Sequence, residues 1–251
     1  MNQIFQENGY LIVKNFFSEE EITKLQSLVE PVFESWFSEN EATIQKQQLV
    51  NMHSLSEARY FSDSSQRVTF FNELCSTKLI RFLEEICGEN LRFNNTQLFF
   101  NPTNELKKPY WHRDLQYFPI TAEQQIEAMS DLRALHLRIP LLAEKGLELI
   151  PGSHRRWDTE LEDKIRFEKG GYTSAHPLPD AELIELEPGD ILIFNAQMLH
   201  KGVYDLNEER KALDICFGNE HPLTIGFINP AVLPTEEEMA KIQNKHWYHY
   251  A

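Results

Sequence analysis

The chain changes texture near residue 90. Before it, apolar residues recur at helical spacing: Ser18 and Glu21 form an S-x-x-E capping box, followed by Ile22, Leu25, Leu28, Val29 and Val32 on one face. This predicts a helix that kinks or breaks near Pro31, which has no N–H to donate. A second run, "TKLIRFLEEICG" from Thr77, places Leu79, Ile80, Phe82, Leu83 and Ile86 on one broad face and stops at Gly88, a suitable C-cap. From Leu91 the pattern becomes short apolar or alternating segments bounded by Gly, Pro, Asn and Asp: "LRFNNTQLFFNP", "ALHLRIPLL", "LELIPG", "LIELEPGD", "ILIFNA", "ALDICFG" and "LTIGFINP". Such segments predict an antiparallel sandwich or barrel. With no internal repeat and no Gly/Ser linker, one domain is expected over 1–251: a mainly helical flank at 1–90, a β core at 91–228 and a helical tail at 229–251. In the tail Thr235 and Glu238 offer another capping box, and its acidic charges are expected to face solvent.

Composition narrows the class. A hydrophobic fraction of 41%, with 17 Phe, is enough for a packed core despite a net charge of -15. That charge repels phosphate backbones and anionic headgroups, which argues against nucleic-acid and membrane partners. The start, "MNQIFQENGYLIVKNFF", lacks a basic region followed by an apolar run, and no stretch of apolar residues is long enough to span a bilayer. Cys75, Cys87 and Cys216 are odd in number and scattered, as expected of reduced thiols. A cytoplasmic location is expected; oligomeric state is not legible.

The candidate chemistry begins at "YWHRDLQYFP". On a strand, His112 and Asp114 would share a face and Arg113 would point away. H-x-D is a weak signal alone, since a chain with this many His and Asp contains it by chance about 0.3 times. The weight comes from "LEPGDILIFNAQMLHKGVYDLNEERKALDICF", where His200 follows an apolar strand 88 residues after His112. Two imidazoles and one carboxylate make the facial triad of non-heme Fe(II) oxygenases, which leaves positions open for a cosubstrate and O2. Arg210, entering the next strand, can bind the far carboxylate of a 2-oxo acid bidentately. By contrast, "IPGSHRR" reads as a turn in which Ser153 and His154 satisfy local backbone groups. His136 and Arg138, alternate residues of "LHLRI", line a pocket if their face is inward.

These segments together resemble the phytanoyl-CoA dioxygenase-like family of Fe(II)/2-oxoglutarate oxygenases. The matches are "NGYLIVKNFFSEEEITKLQ", "WHRDLQYFP", "KGLELIPGSHRRW", "ELEPGDILIFNAQMLHKG" and "ERKAL", in family order over roughly residues 8 to 218. The resemblance implies a double-stranded β-helix (jelly roll, cupin-like) with helices outside, His112, Asp114 and His200 as iron ligands, and Arg210 as the 2-oxoglutarate anchor. It also implies polar residues toward cosubstrate on the strand before H-x-D, here Gln97 and Asn101. Two departures stand out: Arg113 replaces a frequent Gln, and Gly202 replaces a small hydroxyl residue often found two positions after the second His, so one cosubstrate contact is lost or relocated. Asp114 stands where related halogenases carry a small residue, which favours hydroxylation.

The expected activity is hydroxylation of an unactivated C–H of a small molecule, releasing succinate and CO2. Trp111, Arg113, Tyr117, His136 and Arg138 are candidates for the substrate pocket, and the positive residues Lys107, Lys108, Arg113 and Arg138 suggest an anionic substrate. Two alternatives stay open: a non-oxidative cupin-like isomerase or lyase, for which Arg210 would be dispensable, and a catalytically silent ligand-binding relative.

Overall fold

Ser18 starts the longest helix. Its Oγ accepts from Glu21 N, and the Glu21 carboxylate accepts from Ser18 N, so two of the free donors at the helix end are satisfied reciprocally. The computed structural model of the protein describes residues 1–104, 107–206 and 208–250. Its helices include α1 (Asn2–Asn8), α2 (Glu19–Gln47), α3 (Ser64–Leu74) and α4 (Thr77–Cys87). The expected break at Pro31 does not occur, and α2 runs through it unbroken. Pro31 sits on the exposed face, where water can satisfy the carbonyl that loses its partner.

The strands are β1 (Tyr10–Val13), β2 (Asn51–His53), β3 (Arg92–Phe100), β4 (Ala134–Pro140), β5 (Glu144–Leu149), β6 (Glu182–Leu186), β7 (Ile191–Asn195), β8 (His200–Gly202) and β9 (Lys211–Gly218). They form two antiparallel sheets, one ordered β1-β7-β4-β9-β3-β2 and the other β6-β5-β8. This is the two-sheet jelly roll expected, with helices on its outside. The amino-terminal ninety residues are mainly helical but also supply both edge strands of the large sheet. Four or three residues carry too little periodicity to announce such a strand.

Alternation on the large sheet decides what faces what. Leu135, Leu137 and Ile139 of β4, with Leu213, Ile215 and Phe217 of β9, pack into one core with Leu25, Val29, Leu79 and Leu83 of the helices. The intervening residues His136, Arg138, Asp214 and Cys216 face the other way and line a cavity. A second core, of Leu147, Leu149, Ile184, Leu186, Leu192, Phe194 and Met198, fills the space between the sheets beside that cavity.

Two further expectations are corrected. "LTIGFINP" forms no strand: Ile225–Phe227 and Pro230–Val232 are 3-10 turns, with Thr224 N and Ile225 N donating to His221 O and Ala231 N to the Asn229 side chain. Local bonds replace ladder bonds there. In the tail, Glu238 does not face solvent: it is buried, completes the capping box with Thr235, and pairs with Arg67 at 2.7 Å. No described helix is long and apolar enough to cross a membrane.

Candidate metal centre and cosubstrate cavity

His112 and His200 are joined through their backbones before their side chains are considered. His112 N donates to His200 O at 2.9 Å and His200 N to His112 O at 3.1 Å, an isolated antiparallel bridge. Residues that exchange both bonds present their side chains on one face, and here the imidazole centroids lie 4.2 Å apart. Asp114 N then donates to Ala196 O at 3.0 Å, which fixes the next residue of the trio. The strand expected through 112–114 is only this bridge, because Asp114 already begins a 3-10 turn (Asp114–Tyr117). The chain still turns Arg113 away from its neighbours.

The ring tautomers follow from carbonyl partners. His112 Nδ1 faces Tyr110 O at 3.0 Å and His200 Nδ1 faces Met198 O at 3.0 Å. A carbonyl only accepts, so both Nδ1 atoms carry the proton and both Nε2 lone pairs are free to bind a metal. The two Nε2 atoms lie 3.4 and 3.3 Å from Asp114 Oδ1. Ligand atoms of all three residues lie within 4.8 Å of one another, so one ion at ordinary bond lengths of about 2.0–2.2 Å can touch each. Burial opposes charge on Asp114, but the imidazoles around it, His200 first and then His112 and His136, hold its carboxyl well below the usual range. Burial, with the neighbouring His112, pushes the His200 imidazole down. Both directions favour the ligating forms.

Behind the trio lies a buried charged network. His136 Nε2 contacts Asp114 Oδ2 at 2.9 Å and its Nδ1 faces Asp214 Oδ2 at 3.3 Å. Two carboxylates on two ring nitrogens require two donors, and His136 is raised well above the ordinary histidine value: burial opposes, while Cys216 and hydrogen bonds to Asp114 and Asp214 prevail. Arg138 binds Asp214 through Nε at 2.7 Å and Nη2 at 3.0 Å. Arg210 gives its Nε to Glu144 Oε2 at 2.8 Å. Both guanidiniums lie over the Phe99 ring, at 4.5 and 5.4 Å. Among the described residues Nη1 of Arg138 and both Nη atoms of Arg210 are buried without a partner. Buried donors aimed at nothing are costly, so a carboxylate placed there would satisfy them.

The trio and the network open on one cavity of about 610 Å³. Gln97, Tyr117, His136, Arg138 and Arg210 line it, as their positions in the sequence suggested. Others are elsewhere. Trp111 is buried in a separate cluster with Ile150, Ile165, Leu178 and Leu199, its Nε1 donating to His176 O. Asn101 is not in the cavity wall, and its Nδ2 donates to Glu208 O at 3.2 Å. Arg113 is also outside, held by Asp158, the carbonyls of Ser153, Gln197 and Arg156, and the Trp157 ring. Its guanidinium matches a preformed set of buried acceptors rather than a ligand. Ser153 accepts from Leu199 N at 2.9 Å, so the "IPGSH" turn steadies the residue before His200.

Sequence reasoning missed Glu144, Tyr204 and Asp214. Asp214 had a signal: a charge between Leu213 and Ile215 on a core strand has to face a partner inward. Glu144 and Tyr204 lie beside turns, where no periodicity gives a facing.

A family model, phytanoyl-CoA dioxygenase (PhyH), matches residues 5–211. Rat peroxisomal phytanoyl-CoA dioxygenase is 22% identical over 232 residues, covering 86% of this chain and 67% of that protein. Ectoine dioxygenase of Sphingopyxis alaskensis is 23% identical, covering 78% and 67%. The crystal structure of EctD from S. alaskensis in its apo form superposes with a TM-score of 0.60 at 17% identity, over 89% of this chain and 79% of that one. A non-heme alpha-ketoglutarate-dependent epimerase of nogalamycin biosynthesis gives 0.55 at 18% identity, over 90% and 84%. At these identities the structures show a shared fold.

Proposed function

The chain belongs to the phytanoyl-CoA dioxygenase family, and we propose that it is an Fe(II)- and 2-oxoglutarate-dependent oxygenase that hydroxylates a C–H bond of a small molecule. One observation carries the reading: the His112, Asp114 and His200 donor atoms share a cavity with the Nη atoms of Arg210, which have no partner among the described residues. His112, Asp114 and His200 would hold iron through Nε2, Oδ1 and Nε2, and Arg210 would hold the far carboxylate of 2-oxoglutarate. When bound, the pair supplies O2-driven oxidation of the substrate, with succinate and CO2 as coproducts. The protein's part is orientation. Tyr110 O and Met198 O fix the two imidazoles, and His136 occupies the second Asp114 oxygen, which would leave the first for a metal.

The substrate end of the cavity favours an uncharged, hydrogen-bonding molecule. Arg113 and Arg138, which suggested an anion, are bound to Asp158 and Asp214, and Lys107 and Lys108 are not in the wall. Among the described residues Arg138 and Arg210 are the only arginines or lysines in the wall. The wall also presents Asn51, Asn95, Gln97 and Asn229, with Tyr117 and Phe227. Amides pair with hydroxyls and amides of either polarity, whereas a buried anion there would have no counter-ion.

Anaerobic addition of Fe(II) and 2-oxoglutarate tests the reading. A metal-to-ligand charge-transfer band is expected in the wild type and its loss in His200→Ala; no band in the wild type refutes the proposal. Arg210→Ala is expected to weaken 2-oxoglutarate binding severely, whereas a non-oxidative metalloenzyme would tolerate it. Succinate release stimulated by CoA thioesters rather than by neutral polyols or amides would overturn the substrate assignment.

A further inference from the structure

Gly202 and Tyr204 occupy one space. A Cβ built on Gly202 would stand 2.7 Å from Tyr204 Cε1 and 3.0 Å from its Cζ and Oη. No side chain fits at 202 while the ring stays where it is. Gly202 does not have a left-handed backbone, so its conformation does not require glycine, and the ring alone accounts for the missing side chain. Both residues line the cavity with Arg138 and Arg210.

We infer that the Tyr204 hydroxyl is a second anchor, beside Arg210, for the far carboxylate of 2-oxoglutarate, and that Gly202 is small to admit its ring. The inference rests on the proposed function above. Arg210 offers two buried Nη donors with no partner among the described residues, and a carboxylate accepting from them keeps a lone pair for a third donor. The phenol is suited to donate. Burial pushes Tyr204 above the ordinary tyrosine value, the Arg210 and Arg138 charges pull against it and Tyr110 adds to the rise, so it keeps its proton at neutral pH.

The test compares two probes by anaerobic titration of the Fe(II)-loaded protein: 2-oxoglutarate, and 2-oxopentanoate, which has the same chelating end and no far carboxylate. Tyr204→Phe is expected to weaken 2-oxoglutarate about tenfold or more and to leave 2-oxopentanoate and Fe(II) affinity unchanged. Gly202→Ser alone is expected to weaken 2-oxoglutarate, because the new side chain displaces the ring. Gly202→Ser combined with Tyr204→Ala puts a small hydroxyl in the vacated space and is expected to bind 2-oxoglutarate more tightly than Tyr204→Ala alone. Unchanged 2-oxoglutarate affinity in Tyr204→Phe, or equal weakening of both probes, overturns the anchor. A double variant no tighter than Tyr204→Ala overturns the exchange of places. If wild type binds neither probe, the oxygenase reading itself fails.

Discussion

Arg113 reaches Asp158 Oδ1 with both Nε, at 3.0 Å, and Nη2, at 2.8 Å, and neither side chain is open to solvent. Asp158 is also held by Arg166, and Arg113 Nη1 continues to the carbonyls of Ser153 and Gln197. One side chain thus ties the H-x-D segment to the turn before β8. Arg113→Ala leaves these acceptors buried and is expected to cost about 3–5 kcal/mol in urea unfolding of the metal-free protein. Arg113→Lys keeps the charge but not the planar fork, and should lie between the two. A loss under about 1 kcal/mol in Arg113→Ala would show the network to be dispensable.

His136 touches Asp114 without belonging to the trio. Asp114 Oδ2 is its acceptor at 2.9 Å, which leaves Oδ1 with the two Nε2 atoms. His136→Ala is expected to reduce Fe(II) affinity about 10–100-fold while His112 and His200 remain in place. Co(II) titration, read by its visible bands, checks this. Unchanged affinity would mean that Asp114 needs no support.

Asp190 carries the clearest pH prediction. Its carboxylate accepts from Asn15 N at 3.0 Å, Glu187 N at 2.8 Å and Lys14 Nζ at 2.8 Å. Burial pushes its pKa up, but Lys14 and the two backbone donors outweigh this and hold it below the usual range. A depressed folded value contributes stability that is present above the unfolded pKa of about 3.9 and is lost as pH falls through the folded one. Asp190→Asn should therefore be less stable than wild type by about 1–2 kcal/mol near pH 7, with the gap closing below about pH 4. Denaturation midpoints across pH 3–7 check it; a gap that widens on acidification would reverse the sign.

Arg67 and Glu238 join the carboxyl-terminal segment to α3. The Glu238 carboxylate accepts from Arg67 Nη1 and Thr235 N, and Arg67 also donates to the carbonyls of Ser56, Ala231 and Leu233. Glu238→Ala leaves a buried guanidinium without its carboxylate, with an expected loss of about 3–5 kcal/mol by urea unfolding. Glu237→Ala, one residue away and exposed, should change stability by less than about 0.5 kcal/mol. Equal effects would place Glu238 at the surface.

Residue order alone announced the helices at Ser18 and Thr77 and most strands of the jelly roll, and singled out His112, Asp114 and His200, whose donor atoms the fold brings within 4.8 Å, and Arg210, which lines the same cavity. Capping, alternation and metal-ligand spacing are local and leave a trace in residue order. Which charges are answered depends on the folded chain. Arg113 proved bound to Asp158 rather than to a ligand, Arg138 to Asp214, and Glu238 to Arg67. Each partner lies 45 or more residues away, and no periodicity links them. The absent side chain at 202 was legible as a departure, but that the ring of Tyr204 fills its place depends on the backbone path after β8 ends at Gly202.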